Sequence, residues 1–207
     1  MTERGTVFIV SAPSGSGKST LVTNLLQRVP NLTFSISYTT RKPRGGELNS
    51  REYFFVDEAA FERMIAGDEF IEYAKVFDHY YGTARAYLEE ALAEGKDLIL
   101  DIDTEGAAQV KSKLPEAVSI FIMPPSYAAL RTRLENRRQD SVETIQKRLA
   151  WAAQKEIYRY RNYDYLVVNE DLNQSFDLMR SIVLAHRCRK DRMAARVHSI
   201  IQTFGGN

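Results

Sequence analysis

Thr6-Val7-Phe8-Ile9-Val10 runs into Ala12-Pro13-Ser14-Gly15-Ser16-Gly17-Lys18-Ser19-Thr20, and Leu21-Val22-Thr23-Asn24-Leu25-Leu26 follows. An apolar run, a glycine-rich turn and a helix-prone segment, in that order, read as strand, phosphate loop and helix start. Backbone N–H groups in such a loop point into its concavity, and the next helix adds the positive end of its dipole. Lys18 can then reach the terminal phosphates of a nucleoside triphosphate, and the Ser19 hydroxyl can ligate Mg²⁺. The pattern GxxxxGK[ST] is met except at its first position, where Ala12 replaces glycine. Gly15 and Gly17 keep the places where backbone must approach phosphate. The candidate nucleotide cradle is therefore Ala12, Pro13, Ser14, Gly15, Ser16, Gly17, Lys18, Ser19 and Thr20, with Ser19 as the metal ligand.

The 207 residues, 44% of them hydrophobic, suffice for one large α/β core carrying insertions. With 28 Lys+Arg against 27 Asp+Glu and a formal charge of +1, no global field recruits nucleic acid or a membrane surface. Anion binding must come from local clusters. A single cysteine, Cys188, excludes an internal disulfide and a cysteine-cluster metal site, and it suggests a reducing compartment. The first apolar stretch ends at the phosphate loop without a cleavage region, and no apolar run approaches the ~20 residues that cross a bilayer. A cytoplasmic location is expected.

Downstream of the first helix, residues 32–37, 53–56 and 70–76 read as strands. Between the last two, Asp57 and Gly67 bracket a short helix. A further helix over about 85–94 closes at Gly95. Residues 98–103 and 118–123 are nearly continuous apolar runs, as buried parallel strands are. Helices are expected over about 104–113, 126–138 and 142–161, then a strand at 165–168 and a helix-rich tail over 172–204. This alternation predicts a parallel sheet covered on both faces, with two excursions from it.

Within the polar excursion, Arg41 and Arg44 suit a double guanidinium clamp for a dianionic monophosphate, and Tyr53 and Tyr81 can add hydroxyl donors. Asp101 and Asp103 fall at the carboxyl end of a buried strand, where ligands gather in an open parallel sheet. Two residues apart on a strand, they should face one side. Asp101 could hold a magnesium-bound water or position Lys18. In the tail, Val197, Ile200, Ile201 and Phe204 recur at helical spacing. Packing on the parent core is expected of them, with a homo-oligomer contact as the other reading.

The segments Ser37-Tyr38-Thr39-Thr40-Arg41-Lys42-Pro43-Arg44-Gly45-Gly46-Glu47, Tyr80-Tyr81-Gly82-Thr83 and Leu100-Asp101-Ile102-Asp103-Thr104-Glu105-Gly106 closely resemble guanylate kinases. So do the phosphate loop, Lys147-Arg148-Leu149 and Val168-Asn169-Glu170-Asp171, and the likeness spans about residues 5–182. The resemblance implies an α/β P-loop kinase fold with a central parallel sheet flanked by helices, a GMP-binding insertion and a small lid. It implies a single domain with its core at about 1–36, 96–130 and 150–207, the insertion at about 37–95 and the lid at about 131–149. It further implies the reaction ATP + GMP giving ADP + GDP, with ATP as co-substrate, Mg²⁺ as metal, and no nucleic-acid or membrane partner.

By the same resemblance, Ser37, Glu72, Thr83 and Asp103 read the guanine, and Arg41, Arg44, Tyr53 and Tyr81 hold its phosphate. Guanine presents a ring N–H and an adjacent amine along one edge, and a carboxylate such as Glu72 accepts from both. Adenine presents a ring acceptor there, and sites built on matched hydrogen bonds reject the wrong partner by ~10⁴ or more. The Ser37 and Thr83 hydroxyls could donate to the guanine carbonyl. Lys18, Arg41, Arg137, Arg148 and Asp101 are the candidate catalytic residues, with Arg133 a further lid arginine and Asn169 a candidate contact to adenine. Arg138 stands where many relatives have glycine, which leaves open which neighbouring arginine enters the site. A non-catalytic interaction module of the same fold, or a P-loop kinase for another monophosphate, are the alternative readings.

Overall fold

A computed structural model of the chain describes residues 4–76, 78–136 and 141–205. Its central sheet is built from the apolar runs: β1 (Val7–Ser11), β2 (Leu32–Phe34), β7 (Asp97–Asp101), β8 (Val118–Met123) and β9 (Tyr165–Val168). All pair in parallel in the order β2-β7-β1-β8-β9, with β1 in the middle. Helices α1 (Lys18–Arg28) and α7 (Leu172–Arg187) cover one face, where Leu21, Leu25, Met179 and Val183 meet Phe8 and Val10. Across the sheet, Leu88, Leu92 and Val110 of α3 (Arg85–Ala93) and α4 (Thr104–Lys113) pack on Val7, Ile9 and Leu98. Continuous apolar strands buried on both faces need this double cover.

A second sheet holds β3 (Tyr38–Thr39), β4 (Phe54–Phe55), β5 (Phe70–Val76) and β6 (His79–Ala84) in the order β4-β3-β6-β5. The expected strand at 32–37 is thus shorter: Leu32–Phe34 joins the central sheet, and beyond it Tyr38–Thr39, at the start of the polar stretch, pairs antiparallel with β6. Helix α2 (Glu58–Ala66) is capped as expected, with the Asp57 carboxylate accepting from the Ala60 N–H at 2.6 Å and Gly67 at its end. Its Phe61 stacks between Phe70 and Tyr80, giving this small sheet an aromatic core.

Helices α5 (Tyr127–Asn136) and α6 (Val142–Trp151) pack together through Leu130, Leu134 and Leu149. The single helix expected over 142–161 is instead three segments, because the chain widens into a π-turn at Ala152–Glu156 and tightens into a 3₁₀ turn at Ile157–Asn162. Helix α8 (Ala194–Thr203) departs from expectation too. None of its residues is buried, and Val197, Ile200, Ile201 and Phe204 stay exposed instead of packing on the core. No helix among the described residues is long and apolar enough to cross a membrane.

Candidate active site

At the carboxyl edge of the sheet, β1 delivers the chain into the glycine-rich turn. Gly15 and Gly17 both take φ of +93°, a conformation that opens backbone N–H groups to one side and that other residues adopt only with strain. Gly17 is needed for a second reason, since a Cβ there would collide with the side-chain amide of Asn169. Asn169, buried at the end of β9, donates its amide N–H to the Ser16 carbonyl at 2.7 Å. Arg133 of α5 donates to the carbonyls of Asn169 at 2.8 Å and Ser16 at 3.4 Å. In this structure the Asn169 amide therefore braces the loop from behind. Arg148 of α6 reaches the same loop, donating to the Ser14 hydroxyl at 3.3 Å.

Helix α1 begins at Lys18, so Ser19 and Thr20 occupy its exposed first turn, while Ala12 and Pro13 are buried. The Ser16 hydroxyl is buried in the loop with no protein partner, an orphan that a phosphate oxygen would satisfy. Lys18 pairs with Asp101 and donates to the Ile102 carbonyl at 3.3 Å.

Asp101 also lines a pocket of about 330 Å³, together with Ser37, Tyr53, Glu72, Tyr81 and Asp103. Six expected site residues thus come together, and Asp101 is common to the loop and the pocket. A larger cavity of about 480 Å³ opens at the amino ends of β1, β8 and β9, lined by Thr6, Val118 and Tyr165 among others. It contains none of these groups, so chemistry and not size selects the smaller pocket.

Asp103 corrects an expectation. Strand β7 ends at Asp101, and Asp103 is the N-cap of α4, accepting from the Gly106 N–H at 2.8 Å. The two carboxylates share a pocket because the chain turns into a helix there, not because they alternate on one strand face.

Glu72 of β5 lies opposite Thr83 of β6 in the antiparallel register. Only 4% exposed, it accepts the Thr83 hydroxyl proton at 2.6 Å. Burial raises its pKa from the ordinary 4.5 to about 7, against the lowering effect of the Thr83 bond, and the Asp103 charge pushes the same way as burial. Thr83 therefore orients the carboxylate here and does not offer its proton to the pocket.

Arg41 is 8% exposed, its guanidinium lying over the Tyr53 ring. Two of its N–H groups meet the Glu47 carboxylate in a fork, both at 2.9 Å. That carboxylate also accepts from the Arg44 backbone N–H at 2.7 Å, folding the loop on itself. The pairing raises the Arg41 pKa and lowers that of Glu47, while the Arg44 side chain is exposed.

Sequence reading did not assign roles to Glu47 or Glu156. Glu47 lay inside a quoted motif, three residues from Arg44, and its carboxylate was the available signal. Glu156 falls on the π-turn, half-buried within electrostatic reach of Lys18 and Asp103, and burial raises its pKa. Such widened turns gather at functional sites. Arg137 and Arg138 lie outside the described residues.

A phosphate loop at the carboxyl edge of a parallel sheet, sharing Asp101 with a pocket walled by carboxylates, defines a P-loop phosphotransferase. Comparison with known proteins narrows the class. The guanylate kinase family model matches residues 4–186. Guanylate kinase of Koribacter versatilis is 56% identical over 189 residues, covering 90% of this chain and 81% of its own. That of Methylococcus capsulatus is 48% identical over 203 residues, covering 98% and 99%. A crystal structure of guanylate kinase from Anaplasma phagocytophilum superposes with a TM-score of 0.74 at 35% identity, covering 92% and 90%. The chain belongs to the guanylate kinase family.

Proposed function

We propose that the loop and the pocket carry out this family's reaction, ATP + GMP giving ADP + GDP, with the division of labour that follows. The observation that carries the reading is Asp101, which touches Lys18 on one side and lines the carboxylate pocket on the other. Donor and acceptor are thereby neighbours.

The acceptor's guanine enters between Glu72, Asp103 and Ser37. Glu72, ionised, accepts from the ring N–H and the amine of guanine; Asp103 accepts from the amine's second N–H. Arg41, Arg44, Tyr53 and Tyr81 hold the GMP phosphate, and to do so Arg41 must share or exchange its fork with Glu47. No general base is required, because a phosphate oxygen is already an anionic nucleophile at neutral pH. It attacks the γ-phosphorus of ATP, the bond from that phosphorus to the bridging oxygen breaks, and ADP leaves. Lys18 and the loop amides hold the ATP phosphates, while Arg148 and Arg137 offset charge on the transferring group.

Hard oxygen donors suit Mg²⁺, and the Ser19 hydroxyl, with Asp101 acting through water, would hold it. When bound, the ion supplies electrostatic neutralisation of the phosphates. Among the described residues no group of three or more His, Cys, Asp or Glu is placed to hold a metal alone, so phosphate oxygens would supply the remaining ligands. Closure of the small sheet and of α5 and α6 over both nucleotides excludes water during transfer.

Steady-state ATP turnover with GMP, dGMP, AMP and UMP tests the assignment. GMP should exceed AMP and UMP in kcat/KM by ~10³ or more. Turnover of AMP or UMP equal to that of GMP points to another monophosphate kinase. Absence of turnover with every acceptor points to a binding module.

A further inference from the structure

Gly106 is the third residue of α4, and its Cα faces the Glu72 carboxylate. A Cβ built on it would lie 2.8 Å from Glu72 Oε2, a spacing that real Cβ atoms essentially never show, and 3.5 Å from Asp103 Oδ1. Its backbone N–H is the group that Asp103 Oδ1 caps. Gly106 therefore stands between the two carboxylates assigned to guanine, bound to one through nitrogen and pressed by the other on carbon.

Ordinary reasons for glycine do not apply at this position. Gly106 is not among the glycines with positive φ, so its backbone is open to any residue. It is buried inside a helix, where alanine is the better helix former. Glycine here gives up helix stability, and the contact that its missing methyl permits is to the carboxylate of Glu72.

Glu72 has little freedom to retreat from a methyl group. Its other oxygen is held by Thr83 at 2.6 Å, and the residue is 4% exposed between β6 and α4. Pushing Oε2 away would either stretch the Thr83 bond or turn the carboxylate plane from its pocket-facing orientation. A bidentate partner for two guanine donors tolerates neither.

We propose that Gly106 is a positioning residue for base recognition, whose lack of a side chain lets Glu72 dock against the first turn of α4 at the spacing from Asp103 that guanine requires. The inference rests on the assignment of Glu72 to the guanine edge.

A double-mutant cycle over Gly106→Ala and Glu72→Ala separates the inference from that assignment. Gly106→Ala is expected to raise KM for GMP by about tenfold or more, with KM for ATP changed by less than about twofold. Introduced into Glu72→Ala, the same alanine meets no carboxylate, so it should raise KM for GMP no further and leave the thermal midpoint at or above that of Glu72→Ala. Should Gly106→Ala alone fold poorly, recovery of folding in the double variant reports the same collision. An unchanged KM for GMP in folded Gly106→Ala overturns the inference, as does a loss of folding or affinity that persists without the carboxylate. An unchanged KM for GMP in Glu72→Ala overturns instead the underlying assignment.

Discussion

The two ends of the proposed acceptor site are built in opposite ways. At the base end, Glu72 is buried, fixed by Thr83, docked at Gly106, and held near neutrality by desolvation. At the phosphate end, charge is already matched: Arg41 is forked onto Glu47, and beyond it Lys18 rests on Asp101. The proposed base end keeps a carboxylate buried at a desolvation cost that the single Thr83 bond only partly offsets. The phosphate end instead satisfies its cations internally and must exchange partners when substrate arrives. Selectivity can be fixed in advance where the ligand's donors are neutral, whereas a buried guanidinium such as that of Arg41 is costly to leave unpaired.

The largest effect expected from breaking this contrast is at Lys18. Lys18→Ala should lower kcat by ~10³-fold or more, because the ammonium meets charge that develops during transfer. GMP affinity, measured by calorimetry, should change little, since the base end is untouched. Comparable loss of GMP affinity would mean that the two ends are not separable.

Next in size is Glu72→Gln, which turns one acceptor into a donor facing guanine's donors. KM for GMP should rise by about 10²-fold, with kcat falling less. Steady-state kinetics with GMP that match the unmodified protein would remove the account of base choice.

A smaller effect is expected from pH. With its pKa raised to about 7, Glu72 binds a proton more tightly in the folded chain than in the unfolded one. The stability it contributes is therefore complete below about pH 4.5 and is lost as pH rises through 7. GMP requires the ionised form, so kcat/KM for GMP should climb about tenfold per unit below pH 7 and then level off. Part of the climb belongs to the phosphate of GMP itself. The difference between the pH profiles of the parent protein and Glu72→Gln isolates the carboxylate, and superimposable profiles would contradict its titration.

Smallest is Glu47→Gln. It keeps an oxygen for the Arg44 N–H but drops the charge that holds Arg41, so the phosphate faces less competition. KM for GMP should fall by about two- to fourfold. A rise would show that Glu47 serves mainly to order the loop.

The arginine and tyrosine clamp is legible from the residues themselves, whereas Glu72 and Thr83 come only from the family resemblance. That resemblance has the Thr83 hydroxyl donating to the guanine carbonyl; in the antiparallel pairing it donates to Glu72 instead. Buried strands β1, β7 and β8 are plain because unbroken apolar runs have few other uses, and α2 because Asp57 caps it. Asp103 itself was misplaced onto the strand, since a carboxylate after an apolar run reads equally as a strand end or a helix start.

Pairings distant in sequence or backbone-specific stayed hidden. Asn169 meets Ser16 across 153 positions, and no local pattern announces that contact. The π-turn at Ala152–Glu156 contains neither glycine nor proline. Helical spacing in Val197, Ile200 and Ile201 announced an apolar stripe but not whether anything covers it.

Because Lys18 pairs with Asp101, any anion entering the loop has to compete with a carboxylate for the ammonium. Inorganic phosphate and sulfate abound in cells, and a nest of amides with a bare ammonium would hold them readily. With the lysine already matched, an incoming anion gains from it only the difference between two partners. A small anion offers little surplus, whereas a triphosphate that also spans the amides offers much. On the proposed reading, one aspartate would thereby favour a long polyphosphate over a small anion.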